Sequence, residues 1–360
     1  MEKSTHKVEV LPVEIQPHPD PETINLEIAN VKGYQVLVRK GEFQSGDLGA
    51  YFPPDTLVDT TRPEFEFLKD RAKADGWHRI KAMKLRGQWS FGLLLPLPDE
   101  LKHLTEGNNL ADYYKVKHYD PEDQAGNQKL VRHARKPPLI HVQKYDIDNL
   151  QRYPHEFAAG EPLFVTEKIH GANGCFVYDE GHFNLWDQVK LFFGRDQEAF
   201  HVRSRKVWQK DVEGNTWWKA VKRYPGLFDA ARERPGTVFF FEVFGYVQDL
   251  HYGMDKPGQV DLRVFDVRGP SGNFYDGPYV HNVYAREYDF PVVPIIASEL
   301  PYPENPLDLI DEVAVGLSLI PKAKHMREGA VIRPMQEARG RYGRKLLKLV
   351  NPNYLARKSK

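Results

Sequence analysis

The stretch Glu167-Lys168-Ile169-His170-Gly171-Ala172-Asn173 carries the residues best suited to covalent chemistry. Lys168 closes the apolar run Leu163-Phe164-Val165, and the glycine three residues on marks a strand-to-turn junction. A lysine amine attacks phosphorus only when uncharged, a form favoured by partial burial or a neighbouring cation, either of which lowers its pKa toward neutrality. Basic residues later in the chain could supply that field. Standing alone, K-x-H-G is most often a surface lysine at a strand end, so its weight depends on what accompanies it. The phosphate loops G-x-x-x-x-G-K-[ST] and G-x-G-x-x-G and the metal motif H-E-x-x-H are absent, so any phosphate is handled in another way.

The elements that must position this lysine fall into two groups. A length of 360 residues suggests two domains of roughly 150 residues each. In the first, strand-like alternation at Val8-Val10, Ile24-Leu26-Ile28, Val36-Val38, Tyr51 and Leu93-Leu95, broken by turn clusters such as Pro17 to Pro21, predicts a small antiparallel barrel. It is OB-like, though an SH3-like barrel would give much the same pattern. A polar stretch with Pro, Gly and Gln predicts a linker, which divides the chain into 1–117, 118–137 and 138–360. Beyond it, Phe164-Val165, Gly174 to Val177, Thr237 to Val243, Val260 to Val267 and Ala330 to Ile332 read as buried strands, and 216–223 and 306–316 as helices. The fold class is therefore α+β.

Composition narrows the function. Lysines and arginines equal aspartates and glutamates at 50 each, which excludes a uniformly basic nucleic-acid coat. The balance is uneven, however. Residues 322–360 hold 12 basic and 2 acidic residues, a surplus of ten positive charges that the rest of the chain offsets. No apolar run approaches the roughly 20 residues of a membrane span, and no signal-peptide pattern opens the chain. A cytoplasmic monomer with no membrane partner is the expectation. The single Cys175 excludes an internal disulfide framework, and no Cys/His spacing fits zinc.

After Lys168 come Ser204-Arg205, Phe240-Phe241-Glu242-Val243-Phe244-Gly245, Val264-Phe265-Asp266-Val267, Arg327-Glu328-Gly329-Ala330-Val331-Ile332 and Lys345-Leu346-Leu347-Lys348-Leu349-Val350. Six fragments in this order resemble the covalent nucleotidyltransferases, the superfamily of polynucleotide ligases and mRNA capping enzymes. The form K-I-H-G-A-N, in place of K-x-D-G-x-R, is similar to the RNA ligase 2 branch. Only 12 residues follow Lys348, and the candidate barrel precedes the lysine, as in RNA ligases with an N-terminal OB module. The segments His18 to Asp47 and Lys84 to Leu93 are similar to that subfamily as well, so the resemblance covers nearly the whole chain. It implies an OB-like barrel followed by an ATP-grasp-like adenylation domain of antiparallel sheets and helices.

The same resemblance implies the chemistry. An ATP-dependent RNA ligase would join 3′-OH and 5′-phosphate ends, foremost nicks in RNA-containing duplexes. AMP would be carried on Lys168, and Mg²⁺ or Mn²⁺ would be required. Catalytic roles fall to Lys168, His170, Asp266, Glu328 and Lys348. Nucleotide contacts fall to Glu167, Asn173, Arg205 with Ser204 beside it, Glu242, Phe265 and Lys345. Metal contacts fall to Asp266 and Glu328. The last fragment departs from the family pattern of two lysines two apart, since position 350 is Val350, which leaves Lys345 and Lys348 as alternatives for the phosphate. Arg79, Lys81, Lys84, Arg86 and Trp89, with Arg203, are the expected nucleic-acid contacts, because cations interleaved with an aromatic can track a backbone and stack a base. The cations change parity between Lys81 and Lys84, so one flat face cannot hold them without a bulge. Two other readings stand beside this one: an editing or tRNA-repair ligase acting on ends that the RNA's own fold brings together, and a nucleic-acid-binding protein without turnover.

Overall fold

The computed structural model describes residues 7–119, 134–179 and 199–357. In the N-terminal unit, strand Leu48–Phe52 lies between Glu9–Pro12 and Leu93–Pro96, antiparallel to both. Side chains alternate across a strand, so Ala50 and Phe52 enter one apolar cluster while Tyr51 enters another with Leu11 and Leu94. The sheet is thus buried on both faces. A second sheet, Glu14–Pro17, Leu26–Val31 and Tyr34–Arg39, closes over the Tyr51 side. The hairpin Ala82–Leu85 and Gln88–Phe91 turns at Arg86 and Gly87, both at positive φ (47° and 82°), the two-residue geometry that matches strand twist.

The second unit is built on two five-stranded sheets. In one, Pro162–Lys168 runs antiparallel between Gly329–Pro334 and Ile295–Pro301; in the other, Ala172–Tyr178 runs antiparallel between Phe200–Ser204 and Val238–Gly245. The turn at Ile169-His170-Gly171 therefore carries the chain from one sheet to the other. A Cβ on Gly171 would lie 2.2 Å from the Val243 carbonyl oxygen, so the glycine of the motif is required by close backbone approach. Phe176, Phe239 and Phe241 anchor the core beneath the second sheet, each contributing about 1.5–3 kcal/mol on burial.

All five expected strands of this unit are present. Helix Thr216–Val221 is present too, with the Asn215 side chain capping Trp218 N. The helix expected over 306–316 is present in shortened form: Asp308 and Leu309 are helical and run into the π-helical turn Ile310–Ala314, with the Asn305 side chain accepting from Leu307 N ahead of it and Gly316, at φ 140°, after it. Helix Pro225–Glu233 is present in addition to the expected elements: proline sits at its first turn, and Leu227, Ala230 and Ala231 recur at helical spacing.

The two units are docked. Gly33 N donates to Gln151 O at 2.8 Å, and Arg152 pairs with Glu9 at 2.9 Å. Leu355, in the short helix Pro352–Ala356, packs into the barrel cluster that holds Tyr51. Of the expected linker, His118 still pairs with Thr56 in the barrel, and Ala134 and Arg135 already bond the 208–209 strand. Residues 120–133 lie outside the described residues. Among the described residues no helix is long and apolar enough to cross a membrane.

Candidate nucleotide site between the barrel and the two sheets

A cleft of about 370 Å³ opens where the barrel meets both sheets, and Lys168, Glu242, Phe265, Glu328 and Lys348 line it. Lys168 reaches it from the last position of its strand, paired with Gly329, and Glu328 immediately precedes that partner strand. Its Nζ lies 2.8 Å from Glu328 Oε1. Burial pulls the amine's pKa down, but the carboxylates of Glu328 and Glu242 outweigh that and hold it above its ordinary value, with Arg205 opposing them. The expectation of an amine lowered toward neutrality is thereby corrected for the protein alone: its nearest charges are carboxylates. Lys348 behaves in the opposite way. Burial lowers its pKa, Asp146 opposes this, and the Lys168 charge adds to the lowering.

Several expected residues converge on this cleft. Asn173 faces Glu242 in the ladder and lines the cleft, as does Arg205, which pairs with Asp146 at 3.5 Å. Phe265 is skipped in the strand register, since Phe240 opposes Asp266 and Phe241 opposes Val264; the bulge turns its half-buried ring to the cleft. Glu167 is almost wholly buried. One carboxylate oxygen accepts from Leu319 N at 2.6 Å, and the other, Oε1, has no hydrogen-bond partner.

His170 is buried and engaged on every side. Its backbone N–H donates to the Tyr252 hydroxyl at 2.7 Å, Nε2 meets Asp249 Oδ1 at 2.8 Å, and Nδ1 meets the Tyr354 hydroxyl at 2.8 Å. Nδ1 also lies 3.9 Å from Glu328 Oε2. Gln248 donates to the Gly171 carbonyl oxygen and completes the support of the turn.

Other expected residues are placed elsewhere. Asp266 does not line the cleft: it is wholly buried, with Arg333 at 3.2 Å, Arg344 at 2.8 Å and the Tyr145 hydroxyl bound to its carboxylate. Burial works to raise its pKa, but the two arginines prevail and hold it below the usual carboxylate range. A metal-facing role for Asp266 is corrected accordingly, because the bulge that turns Phe265 inward leaves its neighbour on the far face. Arg203 is half-buried, donates to the Val142 carbonyl at 2.6 Å and lies 5.8 Å from the centre of the Trp208 ring. Lys345 is held by both oxygens of Glu161 at 2.6 Å, away from the cleft. Ser204 Oγ is used within its own turn, bonded to Val207.

The barrel cluster divides as well. Arg79 ends strand Trp77–Arg79, lines the cleft, pairs with Asp55 at 2.6 Å and lies 3.8 Å over the Tyr119 ring. Lys81 is half-buried between strands, its pKa lowered by burial and then by Arg79. Lys84 and Arg86 stand exposed on the hairpin, Lys84 5.7 Å from the Trp89 ring. The parity change thus marks the end of one strand and the start of another, paired in different sheets.

With this geometry in view, comparison with known proteins is decisive at the family level. The profile of the family described as RNA ligase matches residues 161–350, more than half of the chain, and one described as an OB-fold domain matches residues 9–97. The chain belongs to the RNA ligase family. No curated protein sequence matches it. Among solved structures, the ligase resembles Naegleria gruberi RNA ligase in an apo mutant form at 19% identity and TM-score 0.76, covering 98% of each chain. It likewise resembles the pyrophosphate complex of that protein, at 20% identity and TM-score 0.76 over 98% of each chain. A lysine-to-alanine mutant of the Naegleria protein with ATP and Mn matches at 19% identity and TM-score 0.75, covering 97% of this chain and 98% of that one. Likeness at this identity establishes a shared fold, an N-terminal OB-fold unit followed by a nucleotidyltransferase unit.

Sequence reasoning missed four residues of the ligase's cleft and its support: Tyr145, Asp146, Asp249 and Tyr354 in the role it has here. Tyr145 and Asp146 come from the segment that follows the expected linker; Tyr145 packs edge-on against Phe265, their ring centres 4.9 Å apart. The apolar-polar alternation of Ile140 to Ile147 was a signal for a packed segment, whereas nothing near Asp249 in sequence marks it as the partner of a histidine 79 positions earlier.

Proposed function

We propose that this ligase is ATP-dependent and seals 3′-OH and 5′-phosphate ends, foremost nicks in RNA-containing duplexes, through AMP carried on Lys168. The observation that carries the reading is the cleft itself: one lysine at the junction of two sheets, flanked by Glu328 and Glu242, with Arg205 and Lys348 on the same walls. The Naegleria structures obtained with ATP and Mn support the choice of nucleotide and metal.

In the first step Lys168 loses its ammonium proton to solvent, the free amine attacks the α-phosphorus of ATP, a P–N bond forms as the bond to the bridging oxygen breaks, pyrophosphate leaves with that bonding pair, and a second N–H proton is released to give the phosphoramidate. Lys348 and Arg205 stabilise the charge that grows on the phosphate oxygens. Phe265 stacks on the adenine, and Glu167 Oε1, buried and without a partner, accepts from the adenine amino group. In the second step a 5′-phosphate oxygen of the RNA displaces Lys168 from AMP; in the third, the 3′-OH displaces AMP from the activated end. Among the described residues no three His, Cys, Asp or Glu side chains form a metal cage. Two carboxylates plus substrate phosphates suffice for Mg²⁺, so Glu328 and Glu242 fit as the residues that would hold it. That positive charge would neutralise the carboxylates that now keep Lys168 protonated.

The test is intact mass after incubation with ATP and Mg²⁺, followed by sealing of a nicked duplex with RNA at the 3′-OH side. The expected result is one AMP on the parent, none on Lys168→Ala, and a sealed strand with the parent alone. Salt-sensitive RNA binding with neither adduct nor sealing would overturn the reading in favour of a binding protein. Sealing confined to a broken stem-loop would instead point to an editing or repair ligase.

A further inference from the structure

Asp249 lies outside the cleft, on the loop that follows strand Val238–Gly245, yet it is bonded to the most constrained side chain beside Lys168. With Nε2–H donating to Asp249, Nδ1 is left as the acceptor for the Tyr354 hydroxyl. Arg357 closes the arrangement from the other side: its guanidinium is 3.2 Å from Asp249 Oδ1 and 3.9 Å above the Tyr354 ring. Tyr354 belongs to the helix Pro352–Ala356, and the next residue, Leu355, is packed into the barrel. An unbroken chain of contacts therefore runs from Asp249 through the turn of the lysine motif to the barrel.

We propose that Asp249 is a positioning residue for the chemistry at Lys168, acting through His170 to hold the lysine's turn against the C-terminal helix. The inference rests on the reading of Lys168 as the nucleophile. Its physical basis is that a carboxylate on Nε2–H selects one tautomer and one ring orientation, as an acid behind a histidine does elsewhere. Without it, Nδ1 and Nε2 exchange roles, the Tyr354 bond is made only part of the time, and the turn that carries Lys168 from one sheet to the other loses its tie to the helix. The hydrogen bond from His170 and the charge of Arg357 overcome partial burial and hold the Asp249 carboxyl down to about 2, so it is charged throughout the working range.

Two measurements on the full chain decide the point. At saturating ATP, Asp249→Ala is expected to form the AMP adduct about 10- to 100-fold more slowly with KM for ATP unchanged, while Asp249→Asn, which keeps an oxygen acceptor, recovers most of the rate. Histidine ¹⁵N spectra, with His170 assigned by its loss in His170→Gln, should show the Nε2–H tautomer in the parent and in Asp249→Asn, and a mixture in Asp249→Ala. Adduct formation at the parent rate in Asp249→Ala, or an unchanged His170 tautomer there, would overturn the proposal. A parent that forms no adduct removes the nucleophile reading by itself. The tautomer comparison then still decides: a mixture in Asp249→Ala supports the hold on His170, and an unchanged tautomer defeats it.

Discussion

Lys168 Nζ and Glu328 Oε1 are 2.8 Å apart, with Lys168 paired to Gly329 and Glu328 just before that partner strand. The pair favours the ammonium form of Lys168, and an ammonium carries no lone pair with which to attack phosphorus. Lys168→Arg keeps the cation beside Glu328 but offers a group that does not deprotonate. It should fold with a melting temperature near the parent's and carry no AMP by intact mass; an adduct on this variant would remove Lys168 from the mechanism.

Lys348 lines the cleft, and Lys345 is spent on Glu161. Lys348→Ala should slow adduct formation by about 10²- to 10³-fold, the usual loss when one charge-stabilising donor is removed. Lys345→Ala should leave that rate near the parent's and lower stability by about 1 kcal/mol in urea unfolding. The reverse pattern would reassign the phosphate to Lys345.

Glu167 offers the base edge an acceptor, because Leu319 N already occupies its other oxygen. In Glu167→Gln the amide oxygen should take that Leu319 bond and turn its NH₂ toward the base, mismatching adenine and suiting the guanine O6. Competition of ATP with GTP for adduct formation should shift about 10- to 100-fold toward GTP. An unchanged ratio would show that Glu167 is not on the base edge.

His281 is buried, with Nδ1 on the Gly277 carbonyl, and burial, aided by Arg333, lowers its pKa to about 4 from 6.5. The folded state resists the proton more than the unfolded state does, so the stability this group confers is whole above pH 6.5 and declines as pH falls toward 4. Melting temperatures of the parent and His281→Gln, taken across that window, should converge toward acid. Parallel curves would place the acid-sensitive group elsewhere.

Lys84 and Arg86 stand exposed on a hairpin that carries Trp89 at its base. If they meet RNA phosphates, each alanine substitution should weaken binding without sequence preference and reduce the slope of log affinity against log salt by about one. Arg79→Ala should instead impair adduct formation, because that side chain lines the cleft. A salt slope unaffected by Lys84→Ala and Arg86→Ala would leave the hairpin without a nucleic-acid role.

Much of this was legible in local spacing. The strand ending in Lys168, the glycine that lets the chain cross to Val243, the phenylalanine strand around Glu242 and the order of the fragments depend on residues near one another in the chain, where alternation and turn chemistry act. The basic surplus of residues 322–360 was equally plain, but its meaning was not: Arg333 and Arg344 are consumed by Asp266 and Lys345 by Glu161, whereas Lys348 lines the cleft close to Lys168.

The sequence by itself determined which residue types could do covalent phosphate chemistry and which strands would carry them, because side-chain direction along a strand follows from its period of two. Only the tertiary structure decided who faces whom. One bulge turns Phe265 to the cleft and leaves Asp266 behind it; a loop and a terminal helix bring Asp249 and Tyr354 to opposite nitrogens of His170; and barrel docking sends Arg79 to the cleft. Each of these depends on packing between segments far apart in the chain, where burial and pairing energies choose among faces that local periodicity leaves equivalent.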